Sequence, residues 1–183
     1  KYIVIFLFMT LTIGFVSGFL VADDSMLAAY DEGFEKYNIE HGNFTLSSKA
    51  SESDLKKIEK NGKVRICENF YRDEATDADL DGNEEETMRI YQERTDMNLV
   101  CLMSGGMPAA KNEIAIDRMY ADNNKLKVGD KLKIAGEELT VTGLVALPDY
   151  SCLFSDNSDM MFDAVKFGVG IMTEKGADRS EEH

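Results

Sequence analysis

Residues 2–22 (YIVIFLFMTLTIGFVSGFLVA) form an unbroken apolar run that stops abruptly at Asp23 and Asp24. As a helix rising about 1.5 Å per residue, such a run spans about 30 Å, the thickness of a bilayer's hydrocarbon core. Lys1 lies before it and two carboxylates after it, so the charge bias places the start in the cytoplasm and the residues after about 22 outside. A cleaved signal peptide is the competing reading, but its apolar part is expected to run only about 7 to 15 residues, and Leu20-Val21-Ala22 is a poor cleavage site. A buried core helix that is apolar all round has no use in a soluble domain of this size. The expectation is a transmembrane helix over 1–22 in the cell membrane. The chain begins at Lys1 without an initiator methionine and reads as a piece of a longer polypeptide.

The rest is long enough for one compact unit with a buried core. With 20 Lys plus Arg against 34 Asp plus Glu, the net charge of -14 argues against nucleic acid or anionic lipid as a partner, since both need a basic face. The 3 cysteines, Cys67, Cys101 and Cys152, are odd in number and far apart, so no disulfide framework or paired metal spacing is expected. His41 and His183 are the only histidines, which leaves little material for a zinc site or a histidine-dependent triad.

Beyond the apolar run, Met26, Tyr30, Phe34 and Tyr37 recur at three- and four-residue spacing and predict an amphipathic stalk helix that docks on a sheet. NFTLSS (43–48) is a strand candidate. Ser51, with an acid three residues on, reads as a helix N-cap; Leu55 and Ile58 supply that helix's buried side, and Asn61-Gly62 its end. KVRICENFY (63–71) is a predicted strand, and Asp81-Gly82 a hairpin turn. Asp77, Asp79, Asp81 and Gly82 match the first half of an EF-hand loop. Position twelve is Met88, where a bidentate glutamate is required, and position eight is Glu84, so the reading is a solvated acidic tip with no metal site.

In the second half, NLVCLM (98–103), EIAI (113–116), KLKI (131–134), LTVTGLVAL (139–147) and AVKFGVGIMT (164–173) are predicted strands. Asp117 caps a short helix, Pro148 ends the long strand, and SDNSD (155–159) is a loop. Alternation of Leu132 with Ile134 and of Leu139 with Val141 indicates a sheet with one buried side. The predicted class is α+β, a mixed sheet with packing helices and a small β-rich lobe. The divisions are a stalk and first part over 23–104, the lobe over 105–150, a return strand over 151–175 and a frayed tail over 176–183.

The anchor, the stalk and the ordered run from Gly105 to Pro108, Asn112-Glu113-Ile114, Leu126 with Val128-Gly129-Asp130, and Val141 with Gly143-Leu144-Val145 resemble the first extracytoplasmic domain of FtsX-like ABC transporter permeases, the MacB-like periplasmic core domain. Leu147 to Tyr150 (LPDY) looks like the version in large Gram-positive permeases. The matched residues have structural reasons. Pro108 sets a turn, Gly129 and Asp130 reverse the chain into a strand, and Gly143 relieves crowding in a bent strand. No nucleotide-binding motif is present, and Gly168 and Gly170 lack the lysine and hydroxyl residue that would follow. The resemblance implies a non-catalytic, cofactor-free domain that transmits ATP-driven movement. Its partners would be a separate cytoplasmic ATPase subunit, the membrane and a second permease of a dimer. A free-standing single-pass or secreted ligand-binding or adhesion module is the alternative reading, and an extracellular hydrolase ranks last.

Overall fold

Hydrogen-bonded strands that close on themselves organise everything beyond the long helix. The structure, a computed structural model, describes residues 2–44, 46, 50–78, 80, 86–150, 153–155 and 163–177. Helix α1 (Tyr2–Lys36) runs for 35 residues with none buried, about 52 Å at about 1.5 Å per residue. It is long and apolar enough to cross a membrane. The strands are β1 (Tyr71–Asp77), β2 (Glu86–Gln92), β3 (Cys101–Gly105), β4 (Glu113–Asp117), β5 (Lys131–Ile134), β6 (Glu137–Ala146) and β7 (Phe167–Met172), with helices α2 (Glu52–Gly62), α3 (Arg118–Asn123) and α4 (Glu174–Ala177). The fold is α+β, with a mixed sheet.

The strand order is β3-β6-β4-β7-β2-β1-β5, and β5 also pairs with β6. The strands β6, β4, β7, β2, β1 and β5 therefore form a closed ring, which leaves no free edge among them. Two pairs, β2 with β7 and β4 with β6, are parallel; the others are antiparallel. The length of β6 makes this closure fit: 137–140 pair with β5, 143–146 pair with β3, and β4 takes the opposite edge. Strands β4, β5 and β6, from 105–150, share the ring and one hydrophobic core with β1, β2 and β7.

Alternation is regular in β5 and β6, and β7 is buried along its whole length. Its two glycines explain how. A Cβ on Gly168 would stand 2.7 Å from the Tyr120 ring, and one on Gly170 would stand 2.6 Å from Ile114 Cδ1. Fully buried Tyr120 and Ile114 thus fill the space that side chains on β7 would otherwise take.

Ser51 caps α2 as expected, accepting from the Asp54 amide, and the helix ends at Gly62 as expected, with Lys63, left-handed at φ 51°, as its C-cap. Leu55 is half-buried, whereas Ile58 is exposed. The strand expected at 63–71 begins only at Tyr71. Its first partner there is Tyr91, and β2 ends one residue later, so residues 64–70 meet no strand to pair with. The last strand is narrower than expected, Phe167–Met172, and Asp163 and the turn 164–166 lead into it. Residues 43, 44 and 46 carry no strand. The rest of NFTLSS, the Asp81-Gly82 turn, most of SDNSD, Cys152 and the tail from 178 lie outside the described residues. The ends of the EF-hand-like run are strand residues, Asp77 in β1 and fully buried Met88 in β2.

Asp117 caps α3, accepting from the amides of Met119 (2.7 Å) and Tyr120 (3.2 Å). Burial pushes its carboxyl above the ordinary 3.8, and the two amide bonds offset only part of that. The folded chain therefore holds this proton where the unfolded chain has lost it. Its contribution to stability is least above the folded value, grows as pH falls through that value, and levels off below 3.8. Asp117→Asn keeps the acceptor without the buried charge, so urea midpoints should be equal or higher at neutral pH and lose this acid dependence. Asp117→Ala should cost about 1 kcal/mol.

Candidate functional site

The helix and the ring meet at one joint, built by two asparagines. Helix α1 ends in a Schellman motif: the Ile39 amide donates to the Phe34 carbonyl (3.1 Å) and the Asn38 amide to that of Glu35 (3.2 Å), with Asn38 left-handed at φ 46°. Asparagine tolerates that conformation better than other residues with a Cβ. The emerging chain pairs at once with the approach to β3. The amides of Asn98 and Leu99 donate to the carbonyls of Asn38 (3.1 Å) and Tyr37 (2.8 Å), and the Asn38 side chain donates to the Asp96 carbonyl.

Asn98 is the clasp. It too is left-handed, at φ 50°, and only 3% exposed. Its side-chain oxygen accepts from the Glu40 amide (2.9 Å), and its side-chain nitrogen donates to Glu40 Oε2 (2.8 Å). The Tyr37 hydroxyl donates to Cys101 Sγ at 2.9 Å, and this bond, with burial, raises the phenol above its usual 10.0.

From Asn98 the contacts continue into the ring. Arg94 reaches toward the Asn98 carbonyl (3.5 Å) and bonds Asp149 at 2.7 Å, with side chains only 8% and 14% exposed. Its guanidinium stacks 4.2 Å above the Tyr91 ring. The Tyr91 and Tyr150 hydroxyls share a 2.8 Å hydrogen bond, and Arg89 donates to Tyr150 (3.2 Å) and to both Asp73 oxygens (2.7 and 2.8 Å). Burial first, then the Tyr150 bond, raises the Tyr91 phenol; the Asp73 carboxylate holds the Arg89 proton more firmly. Residues 147–150 thereby fasten to β2 through Tyr150, and to Arg94 just past its end through Asp149.

Of the predicted stalk residues, the joint gathers Phe34 and Tyr37, both half-buried; Phe34 packs edge-on against His41. Met26 and Tyr30 remain 74% and 64% exposed along α1. The predicted turn residues lie elsewhere. Pro108 is buried between β3 and β4, where Glu113 accepts from the amides of Ala109 and Ala110, which lowers its carboxyl. Gly129, at φ 98°, sends its amide to the Val141 carbonyl, while Asp130 accepts from the Lys127 amide. Gly143 sits where β3, β4 and β6 meet. Asn98, Arg94 and Asp149 carry the joint, and sequence reasoning did not single them out.

A groove of about 460 Å³ flanks the joint, between the extended 65–70 segment and the 92–98 turn. Among the described residues, no three His, Cys, Asp or Glu side chains come together as metal ligands, and Cys67 and Cys101 are free thiols. Comparison with protein-family models, with curated proteins and with solved structures finds no match.

Proposed function

We propose that this chain is the extracytoplasmic part of an FtsX/MacB-like ABC transporter permease, with residues 2–22 in the cell membrane and the closed sheet outside. It carries no chemistry; ATP hydrolysis belongs to a separate cytoplasmic subunit, and permeases of this kind pair as dimers. The observation that carries this reading is the unbroken course of α1 into the joint. Fourteen helical residues, 23–36, stand beyond the apolar run, and the first residues after the helix are bonded to the β3 approach. A shift or rotation of such a helix has no loop in which to dissipate, so it acts on the ring through Asn98 and Arg94.

Inserting two alanines after Ala22 rotates the stalk by about 200° relative to the membrane segment. ATP-coupled activity of the intact permease should be lost. Insertion of about seven residues, nearly two full turns, should restore part of it. Unchanged activity with two alanines refutes the lever. A ligand-binding module is the second reading, favoured by the groove beside the joint. A reading frame that closes just past His183, with no ATPase neighbour, selects it.

A further inference from the structure

We propose that the outer edge of β3, with the 127–129 turn beside it, is a docking site for an extended acidic peptide segment of a partner protein. This rests on the edge itself and not on the permease reading. In a chain that is 30% charged, the 14 residues from Met97 to Ala110 carry no charge at all. Five of them form β3, the strand left outside the ring with β6 on one side only. An antiparallel strand turns alternate amides and carbonyls away from its neighbour. Among the described residues, no group outside β6 bonds the main chain of 102–105. Native sheets guard such edges with lysine or proline, and neither occurs within β3.

Met103 is the extra residue of a bulge between Leu102 and Ser104. A bulge shortens the flat edge and re-aims its side chain, so recognition here combines a short run of backbone bonds with side-chain contact. Leu102 and Met103 are 43% and 53% exposed. Val128 continues that apolar surface, its Cγ2 lying 2.9 Å from where a Cβ on Gly105 would stand.

Charge selects the occupant. Residues 97–134 hold six Lys or Arg against four Asp or Glu; Arg118 pairs with Asp122 and Lys131 with Glu138, but Lys127, beside the edge, makes no ion pair among the described residues. Three of those four acids are turned inward to the chain's own amides: Glu113 at the β4 turn, Asp117 at the α3 cap and Asp130 at Lys127. Lys127, exposed and with its amide already bonded to Asp130, leaves an unpaired cation flanking the edge. An apolar strand alternating with carboxylates satisfies the edge, the patch and the lysine together.

The test uses the full chain in detergent micelles and a short fluorescein-labelled peptide alternating valine and glutamate, followed by anisotropy. Valine–lysine and proline-interrupted versions of the peptide serve as comparisons. The acidic peptide should bind more tightly than the basic one, against the pull of the chain's overall charge. Met103→Asp and Lys127→Glu should each weaken it at least about tenfold, while Met103→Ser, which gives up the apolar contact but adds no charge, should weaken it clearly less than Met103→Asp. No binding, stronger binding of the lysine peptide, or an unchanged Met103→Asp overturns the proposal. Self-association that Met103→Asp abolishes assigns the edge to a second copy, and binding of anionic vesicles in place of the peptide assigns it to lipid; either result overturns the peptide assignment.

Discussion

Arg94→Ala should destabilise the chain by about 3–5 kcal/mol, the cost of leaving one member of a buried ion pair without the other. Asp149, 14% exposed and 2.7 Å from the lost guanidinium, would be left without its counter-charge where little water reaches it. The stacking on Tyr91 at 4.2 Å and the approach to the Asn98 carbonyl would go with it. The double variant Arg94→Met with Asp149→Asn removes both charges and keeps most of the volume, so it should recover much of the loss. Tyrosine fluorescence reports the urea transition, since the chain has 7 Tyr and no Trp. Hydrogen exchange at the Asn98 and Leu99 amides locates the damage. If Arg94→Ala changes stability by less than about 0.5 kcal/mol, the pair is ordinary surface, and the path from stalk to ring does not run through it.

How much of this was legible beforehand follows from the range of each interaction. The Ser51 and Asp117 caps and the run that becomes α1 are decided within a few residues, and each formed where the spacing predicts; β5 and β6 pair as a hairpin too, but tighter, with Glu137 and Glu138 in β6 ahead of the expected start at Leu139. Residues 63–70 have strand composition, but pairing is decided by a partner, and β2 is used up at Gln92. Ring closure was invisible because it depends on β5 finding β1 across more than fifty residues of sequence. The joint has the same character. Asn38 and Asn98 are ordinary asparagines in the sequence, and only the structure shows two left-handed turns laid against each other. Apolar spacing on 26–37 correctly gave a helix, but it misplaced Met26 and Tyr30, because periodicity marks a face without saying what covers it. The place of Gly143 in a long strand predicts crowding, but only the fold shows that the Gly106 carbonyl and Leu102 are what stands there.

Gly143→Ala should cost about 3 kcal/mol, at the upper end of what overpacking usually costs. The added methyl would stand 2.5 Å from the Gly106 carbonyl oxygen and 3.1 Å from Leu102 Cδ1. The first of these is backbone, so relief requires moving the chain rather than rotating a side chain. That backbone is held on two sides. Gly143 pairs with Gly105 of β3 and with Ala115 of β4, and the β4 register skips Thr142 just before it. The Gly106 amide is already tied to the Thr142 carbonyl at 2.9 Å. Shifting Gly106 therefore strains that bond, and shifting β6 strains its ladders with β3 and β4. Gly106→Ala is the control, because a Cβ there meets nothing within 4 Å and the residue is not left-handed, so its urea midpoint should stay close to the parent's. Loss confined to Gly143→Ala, with faster exchange along β3, establishes that the glycine is kept for backbone contact. Equal midpoints for the two variants would mean that β3 can lift from β6 at little cost, and the strand that follows the joint would then be too loosely held to pass a displacement from α1 into the ring.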